Sequence, residues 1–231
     1  AFLEAYEATG EAVYLEAARR AGECLVRGQV RSGGWDYRIE FDPAERRRYD
    51  YRVDPPRKSK KVRNTTVLDD NTTQAALQLL IRLDKALDFK DPKIHEAARF
   101  ALDRLLEAQY PNGAWPQGFL GPPDAAKHPV KKAGYPESWS RTWEKSPYHT
   151  FYTLNDDVIA DVIRVLFEAA RTYHEERFRR AAEKAGDFFL LAQMPEPQPA
   201  WAQQYDAGMH PAWARKFEPP AVTGGESQGV L

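Results

Sequence analysis

Apolar residues recur at three- and four-residue spacings over two well-separated stretches of the chain. Residues 72–87 place Ala76, Leu79, Leu80, Leu83 and Leu87 on one face, and residues 158–173 do the same with Ile159, Val162, Ile163, Leu166, Phe167 and Ala170. This period predicts amphipathic helices whose stripes are core faces. Each is followed by a second pattern in which Ala-Ala leads a helix, then a glutamine, a turn rich in Gly or Pro, and a tryptophan. That pattern occurs at YLEAARRAGECLVRGQVRSGGW, IHEAARFALDRLLEAQYPNGAWPQ and FRRAAEKAGDFFLLAQMPEPQPAWAQQ, with the glutamines at Gln29, Gln109 and Gln193 and the tryptophans at Trp35, Trp115 and Trp201. A period of roughly 80 residues exceeds that of short solenoid repeats and suggests helical hairpins joined by long loops. Gly10, residues 88–92 and residues 174–176 read as the hairpin turns, with Pro92 at a permitted first-turn position. Residues 2–9 read as the end of the first helix, so the chain begins inside its first repeat. The expectation is an all-α, barrel-like α/α toroid of about three hairpins, a single domain over residues 1–231 cut short at both ends.

Three irregular stretches, 33–67, 112–147 and 194 to the end, leave from the same ends of the outer helices. Loops this long inside a compact domain usually carry function, and these should converge on one face. They hold Trp35, Tyr37, Arg38, Tyr49, Tyr51, Arg52, Trp115, Trp139, Arg141, Trp143, Trp201, Trp213 and Arg215, with cation runs at 46–48 and 57–61. Aromatics and cations together suit stacking on sugar rings and pairing with anionic groups. The runs at 46–48 and 58–61 read as solvated loop charge. Trp115 and Trp201 have two readings, substrate stacking or packing against the helix ends.

Where those loops enter the helices, residues 68–73 read LDDNTT and residues 153–157 read TLNDD. An aspartate at a helix start accepts backbone N–H groups as a cap. A cap needs one such residue and no second carboxylate beside it, so the doubled acids leave a shared cation site as the competing reading.

Composition narrows the classes. A net charge of −1 gives no overall reason to expect nucleic acid, and no apolar stretch approaches the length of a membrane span. The one cysteine, Cys24, cannot form an internal disulfide and reads as a packed thiol beside Leu25. There is no Gly-rich phosphate loop and no HExxH, and His95, His128, His149, His174 and His210 lack zinc spacing. His95 and His174 fall at hairpin turns, where a surface role is the default.

The stretch AQYPNGAWPQ at 108–117, the motifs LDDNTT and TLNDD, and the blocks WAQQYD, PAWARKFEPP and TGGES from Trp201 onward closely resemble the pectate lyases of polysaccharide lyase family 10. The resemblance implies an α/α toroid and calcium-assisted β-elimination of polygalacturonate, giving 4,5-unsaturated products, by a secreted or periplasmic monomer. Matched motif to motif, it implies Ca2+ held by Asp69 and Asp156, with Asp70 and Asp157 as neighbours able to share the role. Arg215 falls on the position aligned with the catalytic base. Trp115, Gln117, Asn155, Trp201, Gln203 and Gln204 sit in matching blocks as substrate-binding candidates. Free guanidinium stays protonated at ordinary pH, so Arg215 as base requires a depressed pKa; otherwise it shields developing charge, or simply pairs with Glu218. Residues 120–147 exceed the link expected in the family and read as a substrate-facing lid or a decoration with its own specificity.

Two other classes fit part of the pattern. An isoprenoid cyclase would bind a diphosphate through magnesium on the acids, but it wants a further acid four residues after Asp69, where Thr73 stands. A noncatalytic uronate-binding module would keep the Trp and Arg face and lose the chemistry.

Overall fold

The computed structural model describes residues 1–56 and 61–230; the sequence cations at 57–60 lie outside them. Three antiparallel helix pairs follow one another: α1 (Phe2–Thr9) with α2 (Ala12–Gly28), α4 (Thr72–Ala86) with α5 (Pro92–Glu107), and α6 (Val158–Tyr173) with α7 (Glu176–Ala192). A one-turn helix α3 (Pro43–Arg46) lies in the first loop, and α8 (Gly224–Val230) closes the described chain. Within the row of hairpins α4 packs on α2, α5 and α6. This is the expected all-α hairpin architecture. No described helix is long and apolar enough to cross a membrane.

The hairpin turns follow from local chemistry. Gly10 takes φ 71° and its N–H closes α1 onto Tyr6 O at 2.8 Å, a left-handed cap that glycine adopts without Cβ strain. At α5, Asp91 accepts from Lys93 N and Ile94 N at 3.1 and 3.3 Å, and Pro92 sits where a missing N–H costs nothing.

The repeated Gln and Trp hold each outer helix to its loop. Gln29 Nε2 donates to Gly33 O and Ala97 O at 2.8 and 2.9 Å, and Gln109 Nε2 donates to Gly113 O and Ala181 O at 3.0 and 2.9 Å. Each amide thus closes its own turn and reaches the outer helix of the next hairpin. The indole N–H groups of Trp35, Trp115 and Trp201 reach back to Leu25 O, Leu105 O and Phe189 O at 2.8, 2.9 and 2.8 Å. Gly113, with φ +97°, comes so near α7 that a Cβ there would lie 2.1 Å from Lys184 O.

Because α4 has neighbours on several sides, its buried surface is wider than the one stripe read from spacing. Leu77 and Ile81 are as buried as Leu80 and Leu83. Two expectations are corrected at the rim. Phe167 is 36% exposed, lying off the seams that α6 makes with α4 and α7, and Cys24 is exposed on α2 rather than packed. His95 also exceeds its surface assignment: its Nδ1 lies 2.8 Å from the fully buried Asp84 carboxylate, which Tyr173 Oη also donates to at 2.9 Å. That cluster ties α4, α5 and α6 together at the turn end of the hairpins. In the first loop, Arg46 is not a solvated charge, since it pairs with Asp54 at 2.8 Å and lies 4.2 Å over the Tyr51 ring; Arg47 and Arg48 do face solvent.

Candidate active site at matched helix starts

At the loop end, short strands aim the chain into each inner helix. Strand β1 (Thr66–Val67) pairs antiparallel with β2 (Gly118–Phe119), and β3 (Tyr152–Thr153) pairs antiparallel with β4 (Gln204–Tyr205). Val67 N donates to Trp35 O at 2.9 Å, as Thr153 N does to Trp115 O at 3.1 Å. The Gln117 carbonyl then accepts from Leu68 N and Asp69 N at 2.7 and 3.2 Å, and the Gln203 carbonyl from Leu154 N and Asn155 N, both at 2.9 Å. Two consecutive left-handed residues follow, Asp70 and Asn71 at φ 51° and 55°, then Asp156 and Asp157 at 53° and 54°. Position for position, Asp70 is therefore the counterpart of Asp156, while Asp69 matches Asn155 and Asn71 matches Asp157.

The capping reading is not realised. Neither Asn71 nor Asp157, the residues at the helix starts, makes a side-chain cap hydrogen bond, and the short turns preceding them have none either. Left-handed non-glycine residues cost on the order of 1–2 kcal/mol each, and here two adjacent ones recur at both starts. They point the acids out of the helix ends instead of along the backbone.

Asp69, Asp70 and Asp156 come together, with one carboxylate oxygen from each lying within 4.8 Å of the others. Tyr37 Oη donates to Asp69 Oδ2 at 2.6 Å, Gln117 Nε2 stands 3.5 Å from Asp69 Oδ1, and Asn155 Nδ2 donates to Asp156 Oδ2. Burial, then the hydrogen bond to Asp69 and the charges of Asp69 and Asp70, hold the Tyr37 phenol far above the usual tyrosine range, so it is a donor only. Asp156 is raised above the ordinary aspartate value although its side chain reaches solvent. Partial desolvation is the first cause, followed by repulsion from Asp69, Asp70 and Glu226 and opposed by Arg215. Asp157 is a correction: it does not join the three-acid group, and its Oδ1 instead faces α8, where a Cβ on Gly229 would lie 2.7 Å away.

Arg215 is exposed and forked onto Glu218: Nε donates to Oε2 at 2.7 Å, Nη2 donates to Oε1, and the Arg215 backbone N–H donates to Oε2 at 3.1 Å. The hydrogen bond to Glu218 is the main reason its pKa is raised still further, while Glu218 is pushed below the usual carboxylate range. A depressed Arg215 pKa is thus not what its neighbours produce.

The model of the pectic acid lyase family matches residues 44–231. The chain belongs to the pectic acid lyase family. Among solved structures it is similar to the family 10 polysaccharide lyase from Cellvibrio cellulosa, at 23% identity and TM-score 0.63, over 95% of this chain and 62% of that one. The likeness is the same to an aspartate-to-alanine mutant of that enzyme in complex with trigalacturonic acid. Cellobiose 2-epimerase from Bacillus thermoamylovorans matches at 9% identity and TM-score 0.55, over 99% of this chain and 49% of that one. At such identities the likeness shows the toroid fold, and the chain spans less than two thirds of the length of the family 10 lyase. No curated protein matches the sequence. Family membership sets aside the isoprenoid cyclase expectation.

Within this candidate site of a pectic acid lyase family member the remaining residues divide. Trp115 is fully buried and Trp201 nearly so, each committed to a helix carbonyl; a sugar platform must present a face to solvent, so both are packing residues. Gln204 is buried with Nε2 on Ala212 O at 3.2 Å, a loop contact rather than a substrate one. Gln117, Asn155 and Gln203 remain at the rim. Sequence reading did not tie two neighbours to the acids: Tyr37, named only among the loop aromatics, and Glu226. Tyr37 sits in a loop with no periodicity to predict its reach. Glu226 emerges from the structure, where Thr223 N donates to Trp201 O at 3.1 Å as Val67 and Thr153 do to their own tryptophans, so that Glu226 follows three residues on, as Asp70 and Asp156 do, but within α8.

Proposed function

We propose that the chain is part of the catalytic toroid of a pectate lyase, cleaving polygalacturonate by calcium-assisted β-elimination. The observation that carries this reading is the convergence of Asp69, Asp70 and Asp156 at strained helix starts where none of them caps a helix. The donor set suits Ca2+: hard oxygens are its preferred ligands, and two oxygens each about 2.4 Å from one ion lie at most about 4.8 Å apart. Asp69, Asp70 and Asp156 would hold the ion, and three side chains leave coordination positions for a substrate carboxylate and water. Bound there, calcium would neutralise the uronate carboxylate and stabilise the charge that builds as the adjacent C5 loses its proton.

The chain's own groups have distinct tasks in this reading. Tyr37 and Gln117 orient Asp69, and Asn155 orients Asp156. Arg215, kept protonated by Glu218, serves as a fixed cation beside the reacting uronate. Water takes the C5 proton, the C5–H electrons form the C4–C5 double bond, the C4–O4 bond breaks, and O4 takes up a proton from water. Action on a polysaccharide would fit a secreted or periplasmic protein, and a uronate site built by one chain would need no second copy. A noncatalytic uronate binder is the second reading, favoured specifically by the Arg215–Glu218 pair.

Ultraviolet absorbance of the unsaturated uronate, followed on polygalacturonate with calcium and with chelator, tests the proposal. A calcium-dependent rise that Arg215→Ala reduces by roughly a hundredfold or more supports it. Polymer binding with no rise in any condition overturns it in favour of the noncatalytic module.

A further inference from the structure

The 120–147 stretch builds a second cavity beside the candidate active site. Its volume is about 250 Å³, and it opens between Trp139, Glu144 and Ser146 on one side and Asp206, His210 and Trp213 on the other. Trp143 Nε1 donates to Ala214 O at 3.0 Å, which pins the stretch to the residue before Arg215. A polymer engaged at Arg215 therefore passes next to this cavity.

The lining has the chemistry of a sugar site but the wrong charge for a uronate. Trp139 is 46% exposed, leaving aromatic surface uncovered, and aromatic faces stack on the C–H faces of pyranose rings. The Trp213 Nε1 and Ser146 Oγ atoms, on two residues of the lining, are buried without a hydrogen-bond partner, and an acceptor oxygen that reached them would satisfy both. Among the described residues that line the cavity there is no lysine or arginine, while Glu144 and Asp206 are acidic. A free uronate carboxylate entering would meet the like charges of Glu144 and Asp206, with only the His210 ring, 3.8 Å from Asp206, as a basic group among the lining residues. An uncharged ring avoids that repulsion, and its ester or hydroxyl oxygens can take the unmet donors.

We propose that this cavity is a subsite for an uncharged pyranose of the pectic polymer, so that the chain accepts substrates neutralised at a position flanking the cut. It rests on the uronate-polymer reading for its neighbour, but its test does not need turnover. Two sources share the chemistry, a methyl-esterified galacturonate within the backbone and a neutral sugar in a side chain.

Calorimetric titration of the chain with methyl-esterified trigalacturonate, free trigalacturonate and galactotriose separates them. The affinity ratio of the uncharged ligand to free trigalacturonate is expected to fall about tenfold in Trp139→Ala, the loss of one stacking anchor. In Glu144→Lys, which brings a cation to the lining, free trigalacturonate should bind about tenfold more tightly. Dependence on Trp139 for the esterified ligand alone assigns the subsite to the backbone, and for galactotriose alone to a side chain; either supports the proposal. An unaltered ratio in Trp139→Ala, or unaltered binding of free trigalacturonate in Glu144→Lys, overturns it. Binding selectivity without any lyase activity would instead overturn the catalytic reading and leave the subsite standing.

Discussion

The starts of α4 and α6 have the same backbone and different chemistry. Both are fed by a two-residue strand, both hang two amides from a glutamine carbonyl, and both pass through a left-handed pair. Yet the sequence in that frame is Asp-Asp-Asn at one start and Asn-Asp-Asp at the other. At the first, both acids enter the cluster, and Asp69 is satisfied by Tyr37 from the 33–67 loop. At the second, Asp156 alone enters, with Asn155 as its donor and Arg215 as the nearby cation. The repeat sets where a carboxylate stands, and the loops, which do not repeat, set what it faces.

Activity offers the sharpest way to break this comparison. Asp70→Ala and Asp156→Ala occupy equivalent positions, so each should lower kcat/KM on polygalacturonate by roughly a hundred- to a thousandfold at fixed calcium, while Asp157→Ala should cost far less. If Asp157→Ala proves as damaging as Asp156→Ala, the division made at the second start is wrong.

A moderate effect is expected in stability against pH. Asp156 is raised above its unfolded value by desolvation first and by its acidic neighbours next, so its protonated form is the one the fold favours. The favourable contribution is complete below the unfolded aspartate pKa and is lost as pH rises through the higher folded value. Asp156→Asn should therefore raise Tm at neutral pH without calcium, with the gain vanishing in acid. Calcium should shift Tm upward in the parent chain and less in the variant, since ligands that bind only the folded state stabilise it. A gain that persists undiminished in acid would locate the cause outside this carboxylate.

The smallest effect concerns the shared backbone. Asn71→Gly and Asp157→Gly both relieve left-handed strain, against the extra entropy that glycine brings to the unfolded chain. Asparagine tolerates that conformation well, so Asn71→Gly should change stability by no more than about 0.5 kcal/mol, and Asp157→Gly should be the more favourable of the two. Chemical denaturation of both variants reads this difference directly, and the reverse order would show that the two starts are not equally strained.

Much of this was readable before the structure. Helical periodicity placed the hairpins, Gly10 and Pro92 marked two of their turns, and the Gln–turn–Trp repeat marked where each outer helix hands over to its loop. These signals are local, depending on residues a few positions apart. The errors fall where a second element decides burial. For Trp115 and Trp201, packing was one of the two open readings, and it is realised because each indole folds back on its own helix. Phe167 and Cys24 are exposed at the edges of their helices' buried faces, which spacing alone does not delimit. Arg46 leaves solvent because Tyr51 and Asp54 happen to lie beneath it.

By itself, the sequence determined the all-α hairpin class, the repeat and the placement of two acidic motifs at helix starts, since periodicity, capping and turn chemistry act over one or two turns of chain. Only the tertiary structure decided that Asp69, Asp70 and Asp156 meet while Asp157 turns toward α8, that Tyr37 and Glu226 approach the same acids, and that Arg215 is paired with Glu218. Those outcomes depend on how separate hairpins lie side by side, and a carboxylate's partners are set by a few ångströms of interhelical placement that no local pattern encodes.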